Sequence, residues 1–423
     1  MNRHVIRKEG PTLRLRPRAL LTLGAIVLVA AALMGLRHQS REIASAPVVE
    51  TPPAQKAVQT APSIPPPLEL SLARAVERDG RMFVSASDGR QVVLTLDPRL
   101  QKKAEWFLRS YKVPFGAVVA IEPRTGRVLA YAEHSELDPS GAEYSISKPY
   151  KAASLFKIVT AEAVISEKKI HIDETFCYHG GRRRLNSRLL ADDPSRDRRC
   201  LTFEQAMGHS TNVVFARLAL KNLTPSVLSA HARSFLFDKP IPFELPVEQS
   251  KATIPWDPEE MAVTAAGFGD VRVTPLHAAV LAASVANGGV LMKPTIVDEV
   301  RGPDGARLSG SGAELLGRAT TTEVSDLLSL MMYTTTTEGT ARKAFRKKRG
   351  TLDFKRGIPV AGKTGSLAEN EPYYREYTWY TGFAPVDDPR IAVAALVINQ
   401  KFWKTKGSYA AREIFEEYFR KNR

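Results

Sequence analysis

The chain predicts an α+β protein, an antiparallel sheet covered by helices with an all-helical subdomain, plus an N-terminal transmembrane helix. Three observations carry this expectation. A β-rich hairpin near residues 116–132 and β-rich runs after residue 360 are separated by a mostly helical middle. An amphipathic helix near Tyr409–Phe419 closes the chain, placed to cover the sheet. An uncharged apolar run occupies Ala19–Leu36 behind a basic start.

In chain order, residues 1–18 form a basic tail with Arg3, Arg7, Lys8, Arg14, Arg16 and Arg18 against Glu9 alone. Residues 19–36 are long enough to span a bilayer. Basic residues before an apolar run hold the N-terminus in the cytoplasm and export the rest. The expected location is therefore a single-pass inner-membrane protein with an extracytoplasmic body. A cleaved signal peptide is the competing reading, with Ala44-Ser45-Ala46 as its site, far from the run and behind Arg37 and Arg41. Residues 37–68 make a linker, and 46–68 hold seven prolines. Pro-rich chain of that length extends to roughly 70 Å.

The remaining domain is expected over 69–423. Leu96–Leu108 reads as a helix with Pro98 in its first turn. Gly116–Ile121 and Arg127–Ala132 are joined by the turn cluster Glu122-Pro-Arg-Thr-Gly126, which makes the hairpin. Residues 152–168 are apolar nearly all round and predict a buried helix. Helices follow at Phe203–Met207, Asn212–Lys221 and Leu276–Asn287, then strands at Val360–Thr364, Thr378–Phe383 and Ile391–Ile398.

The 423 residues carry 43% hydrophobic and 25% charged side chains, an ordinary globular balance, with a net charge of +15. That charge suits an anionic wall or membrane surface. Nucleic acid is not expected as a partner, because no aromatic-interleaved basic motif accompanies the charge.

Three short strings predict the chemistry. Ser154-Leu-Phe-Lys157 places a hydroxyl and an amine on one helix face. A serine needs a base, and a lysine serves when desolvation or a nearby cation keeps it neutral. Ser210-Thr-Asn212 sits where a helix begins; these are also ordinary N-cap residues. Neighbouring His209 reads as structural rather than as a base. Lys363-Thr364-Gly365-Ser366 offers a second cation, hydroxyls for a carboxylate and an N–H for an oxyanion. Gly357–Thr364 also matches the P-loop pattern, but basic residues precede it and Gly365, Asn370 and Pro372 follow, so neither the strand nor the helix of a P-loop is expected.

Together these strings resemble the active-site motifs of the penicillin-binding transpeptidase family, a class B-like member of the serine D,D-peptidase and β-lactamase superfamily. The resemblance extends over about residues 90–420. It includes Leu94-Thr-Leu-Asp97, Ala266-Gly-Phe-Gly269, Thr274-Pro-Leu276, Ala286-Asn-Gly-Gly289, Gly339-Thr-Ala341 and Trp379–Pro385. It implies the penicillin-binding fold, Ser154 as the acylated nucleophile and Lys157 as its base. It further implies catalytic roles for Ser210 and Lys363, and substrate binding by Asn212, Thr364, Gly365 and Ser366.

The implied reaction cross-links peptidoglycan stem peptides through an acyl-enzyme, releasing D-alanine, with β-lactams as inhibitors. No metal or organic cofactor is implied. Ala152-Ala153 departs from the Pro-Gly often found before the serine, and Ser366 replaces a common threonine. Too little chain precedes the hairpin for a glycosyltransferase domain, so a separate glycan polymerase is the expected partner.

Two alternatives stay open on the sequence. One is a D,D-carboxypeptidase or β-lactamase-type hydrolase with the same serine chemistry, although no E-x-x-L-N string occurs. The other is a non-catalytic penicillin-sensing domain. Cys177 and Cys200 suit a disulfide in an exported protein; free thiols, or a zinc set with His179 and His209, are the competing readings.

Overall fold

A computed structural model describes residues 70–420 except 182–183, 347–353 and 355–356. The basic tail, the 19–36 anchor and the linker expected from the sequence lie outside the described residues, as do many of the basic residues that precede Gly357. Among the described residues, no helix is long and apolar enough to cross a membrane.

The central sheet is five-stranded and antiparallel, in the spatial order Ala361–Glu369, Arg375–Ala384, Ile391–Asn399, Phe115–Ile121, Val128–Ser135. The two ends of the domain therefore meet: Ala395 lies opposite Val118, and Ala394 opposite Val119. Every residue of Ile391–Asn399 and Phe115–Ile121 is buried. This explains why both read as continuous apolar runs, since helices cover both faces. Helices Pro98–Ser110 and Gly407–Arg420 cover one face, where Leu108, Ile414 and Phe415 meet Val118, Val393 and Tyr380. The other face packs on Pro275–Ala286, and Thr322–Thr337 lies against Ala361–Glu369. Ala361–Glu369 is the outer strand, and its exposed edge borders the cleft described below.

The first helix begins at Pro98, two residues later than expected. The Asp97 carboxylate caps it, accepting from the N–H groups of Arg99 at 2.8 Å and Leu100 at 3.3 Å. In the closing helix, Ala411, Ile414, Phe415 and Phe419 are buried as the periodicity requires, while Tyr418 is only half-buried. Sequence periodicity gave no sign that Arg412 and Glu416 are buried on the same helix and paired at 2.7 Å.

Two regions differ from the sequence reading. Residues 152–168 are not one α-helix. A 3₁₀ turn, Ala153–Phe156, precedes the α-helix Lys157–Lys168, because Ala153 sits in the left-handed region at φ +48°. A second five-stranded sheet forms from Val76–Arg78, Arg81–Ser85, Gln91–Leu94, Val297–Arg301 and Arg307–Gly310. Its strands are three to five residues long, and Val93 pairs with Glu299. No local pattern encodes a pairing across so much chain.

Cys177 and Cys200 face each other across the hairpin Thr175–Tyr178/Arg199–Thr202 and form a disulfide, which sets aside the free-thiol and zinc readings. Closing a loop with a sequence separation of 23 contributes about 3 kcal/mol through chain entropy. The Cys177→Ser/Cys200→Ser variant is expected to lose about that much unfolding free energy in urea. An unchanged midpoint would mean that the hairpin holds without the bond.

Candidate active site

Ser154 lies in the 3₁₀ turn, and Lys157 opens the helix that follows. The Lys157 amine is fully buried, 2.9 Å from Ser154 Oγ and 2.7 Å from Asn212 Oδ1, and it also hydrogen-bonds the Ala266 carbonyl. A neutral amine has two N–H groups and one lone pair. Asn212 Oδ1 and the Ala266 carbonyl are acceptors only and take the two N–H groups, which turns the lone pair toward the Ser154 hydroxyl. That is the arrangement a general base requires.

The second lysine has a different set of contacts. Lys363 is also fully buried; its amine donates to Ser210 Oγ at 2.9 Å and to the Thr364 carbonyl at 2.9 Å. No carboxylate pairs with either lysine among the described residues. Burial pushes Lys157 well below the usual lysine range, and the Lys363 charge pushes it further. Burial brings Lys363 down to about 7.

The middle motif is held by a helix–turn–helix. Thr202 and Gln205 form a capping box that starts Phe203–His209, and this helix ends with Ser210 in the left-handed region at φ +55°. The next helix begins at Asn212, so one tight turn aims Ser210 at Lys363 and Asn212 at Lys157. Gly357–Thr364 runs into the strand Ala361–Glu369 rather than into a helix, as the rejection of a P-loop required. Within that strand Gly365 passes close to the serine turn. A Cβ there would stand 3.1 Å from the Ala152 carbonyl oxygen.

Ser154, Ser210, Asn212, Thr364 and Ser366 line one cleft of about 910 Å³, together with Arg184, His209, Phe268, Thr340 and Trp379. Thr340 Oγ1 lies 2.5 Å from Thr364 Oγ1. The motifs did not reveal two contributors. The Ala266 carbonyl is a backbone group, and Thr340 belongs to a segment quoted only for its resemblance.

Gly267 is a third, and its role is positional. At φ +94° it presses on the serine turn, and a Cβ would lie 2.6 Å from the Ala153 carbonyl oxygen and 2.9 Å from the Ser154 nitrogen. Gly267→Ala must displace the backbone that carries the nucleophile. Acylation by a labelled penicillin is expected to slow at least about tenfold, since misplacement by an ångström costs up to about 10² in rate. A wild-type rate would show that the turn tolerates the shift.

A serine hydrogen-bonded to a buried lysine whose proton affinity is depressed, backed by a second lysine–serine pair, is the arrangement of a serine acyl-transfer centre. Residues 116–420 match the penicillin binding protein transpeptidase domain. The chain belongs to this family.

It is 28% identical over 361 residues to a peptidoglycan D,D-transpeptidase PbpA of Mycobacterium tuberculosis, covering 76% of this chain and 70% of that one. It is 26% identical to stage V sporulation protein D of Bacillus subtilis, over 75% of this chain and 51% of that protein. Among solved structures, the D,D-transpeptidase domain of a peptidoglycan glycosyltransferase from Eggerthella lenta superposes with a TM-score of 0.65 at 25% identity, covering 80% and 85% of the two chains. An imipenem acyl-enzyme of penicillin-binding protein A from M. tuberculosis superposes with a TM-score of 0.61 at 27% identity, covering 77% and 79%.

Proposed function

We propose that this chain is a peptidoglycan D,D-transpeptidase that works through an acyl-enzyme on Ser154. The observation that carries the reading is the buried Lys157 amine, 2.9 Å from Ser154 Oγ and held by two acceptors of its own. Lys157 takes the Ser154 proton as the oxygen attacks the penultimate D-alanine carbonyl of a stem peptide. The N–H groups of Ser154 and Ser366 receive the oxyanion. As the C–N bond breaks, the proton taken up by Lys157 passes through the Ser210 hydroxyl to the leaving D-alanine nitrogen, which frees Lys157 to act again, and Lys363 supports that hydroxyl from behind. An amine of a neighbouring stem then attacks the ester, Lys157 accepts its proton, and Ser154 is restored. Thr364 and Ser366 hold the substrate carboxylate, and Gly365 lets the strand lie close to the serine. β-Lactams acylate Ser154 as mimics of the donor.

In this reading residues 19–36 anchor the protein in the inner membrane and the Pro-rich linker stands the domain off in the extracytoplasmic space. A separate glycan polymerase supplies the strands. The apolar run, the basic tail and the disulfide support that placement.

The test incubates the full chain with a stem-peptide donor and a D-amino-acid acceptor. A cross-linked or exchanged product is expected. Release of D-alanine without such a product would replace transfer by hydrolysis.

A further inference from the structure

The carbonyls at the end of the helix Pro258–Ala265 have no partners within the helix and must find them elsewhere. The carbonyl of Ala262 accepts the N–H of Ala266 at 3.1 Å, that of Val263 accepts from Phe268 at 3.2 Å, and that of Thr264 accepts from Gly267 at 2.8 Å. The left-handed Gly267 then turns the chain away. Two carbonyls remain, those of the buried residues Ala265 and Ala266. Side chains of the catalytic helix take both. Thr160 Oγ1 donates to the Ala265 carbonyl at 2.8 Å, and the Lys157 amine hydrogen-bonds the Ala266 carbonyl.

Lys157 and Thr160 are three residues apart, so one face of the helix Lys157–Lys168 grips two successive carbonyls. A hydroxyl has a single hydrogen to donate. The Ala265 carbonyl takes it, because the alternative acceptor, the Phe156 carbonyl one turn back, is farther away at 3.3 Å. Thr160 is fully buried and does not line the cleft. The alanine side chains at 265 and 266 offer no polar group of their own, so the Thr160 hydrogen bond sets the tilt of the peptide that leads into the Ala266 carbonyl.

We infer that Thr160 is a positioning residue for the general base: by holding the Ala265 carbonyl it aims the Ala266 carbonyl at Lys157. The inference rests on the reading of Lys157 as the base in an acyl transfer through Ser154. The carbonyl end of a helix carries partial negative charge and favours a cation. While Lys157 is neutral, the Ala266 carbonyl occupies one N–H and helps turn the lone pair to Ser154. Once Lys157 has taken the Ser154 proton, the same carbonyl faces an ammonium and stabilises it. The other groups around the amine are Ser154 Oγ, Asn212 Oδ1 and the Phe215 ring at 5.5 Å, none of them charged. Among the described residues, the charge that acts on Lys157 is that of Lys363, which opposes protonation. The aimed carbonyl offsets that opposition without placing a carboxylate beside the base.

The test follows acylation of the full chain by a labelled penicillin across a pH series. Thr160→Val keeps the shape of the side chain and removes the hydroxyl, which leaves the Ala265 carbonyl without its donor and lets the peptide turn away from Lys157. Acylation is expected to slow about tenfold, as a small misplacement of a reacting group does. With less negative potential at the amine, Lys157 holds its proton less tightly, and the acid limb is expected to move down by about half a pH unit. Loss of the Lys363 charge would move that limb upward, so the sign separates the two effects. Thr160→Ser restores the hydroxyl and should return both the rate and the limb. An unchanged rate and limb in Thr160→Val overturns the inference. So does an equal loss at every pH, which is the mark of a merely structural role, and so does a Thr160→Ser that behaves as Thr160→Val. If thermal melting shows that Thr160→Val does not fold, Thr160→Ala is read by the same criteria. Transfer to a D-amino-acid acceptor is measured separately on the unaltered chain. Acylation without transfer replaces the transpeptidase reading and leaves Thr160 to be judged on acylation, whereas an unaltered chain that is not acylated overturns both.

Discussion

Lys157→Met is expected to slow acylation by a labelled penicillin by about 10³, within the range seen when a general base is removed. Methionine keeps the length and the apolar stem, so the variant fills the same buried space. It lacks the lone pair that faces Ser154 and the two N–H groups that hold Asn212 Oδ1 and the Ala266 carbonyl. Stopped-flow or gel-based rates of covalent attachment measure the effect. A loss of less than about tenfold would mean that another group deprotonates Ser154. Asn212→Ala separates holding the base from being the base: it frees one N–H partner and leaves the amine in place, so its loss should be smaller than that of Lys157→Met.

Lys363→Met is expected to shift the pH dependence of acylation as well as its rate. The base acts only when neutral, so acylation falls on the acid side as Lys157 gains a proton. The Lys363 charge is one of the two causes that depress Lys157. Removing that charge lets Lys157 hold its proton to higher pH, and the acid limb moves upward. The direction is the test; an unmoved or lowered limb contradicts the coupling.

Stability gives a second sign. Lys363 is brought from the ordinary lysine value of 10.5 down to about 7 in the folded chain. Between those values the unfolded chain binds more protons than the folded one, so raising the pH across the window favours folding. The unaltered chain should therefore gain unfolding free energy relative to Lys363→Met from pH 7 to 10.5, at no more than about 1.4 kcal/mol per pH unit.

Much of the site was legible because its parts are local. Ser154 and Lys157 are three residues apart, and the apolar residues around them announce the burial that lowers the lysine. The tight turn between two helices at Ser210–Asn212 was readable as a helix start. Less visible were contacts made by backbone or by distant chain. The Ala266 carbonyl carries no side-chain signature, and Gly267 presses on a serine turn more than 100 residues before it. The strands of the central sheet were legible as β-rich runs, whereas the second sheet, built from strands of three to five residues, was not. The helix expected from residue 152 starts later because Ala153 takes a left-handed conformation, which hydrophobic periodicity does not encode.

Intact-mass and peptide-mapping spectrometry of the full chain after brief exposure to benzylpenicillin tests the central claim most directly. One penicilloyl group should appear, confined to the peptide that contains Ser154, and none should form on Ser154→Ala. An adduct on another residue, or an undiminished adduct on Ser154→Ala, would contradict the assignment of Ser154 as the nucleophile.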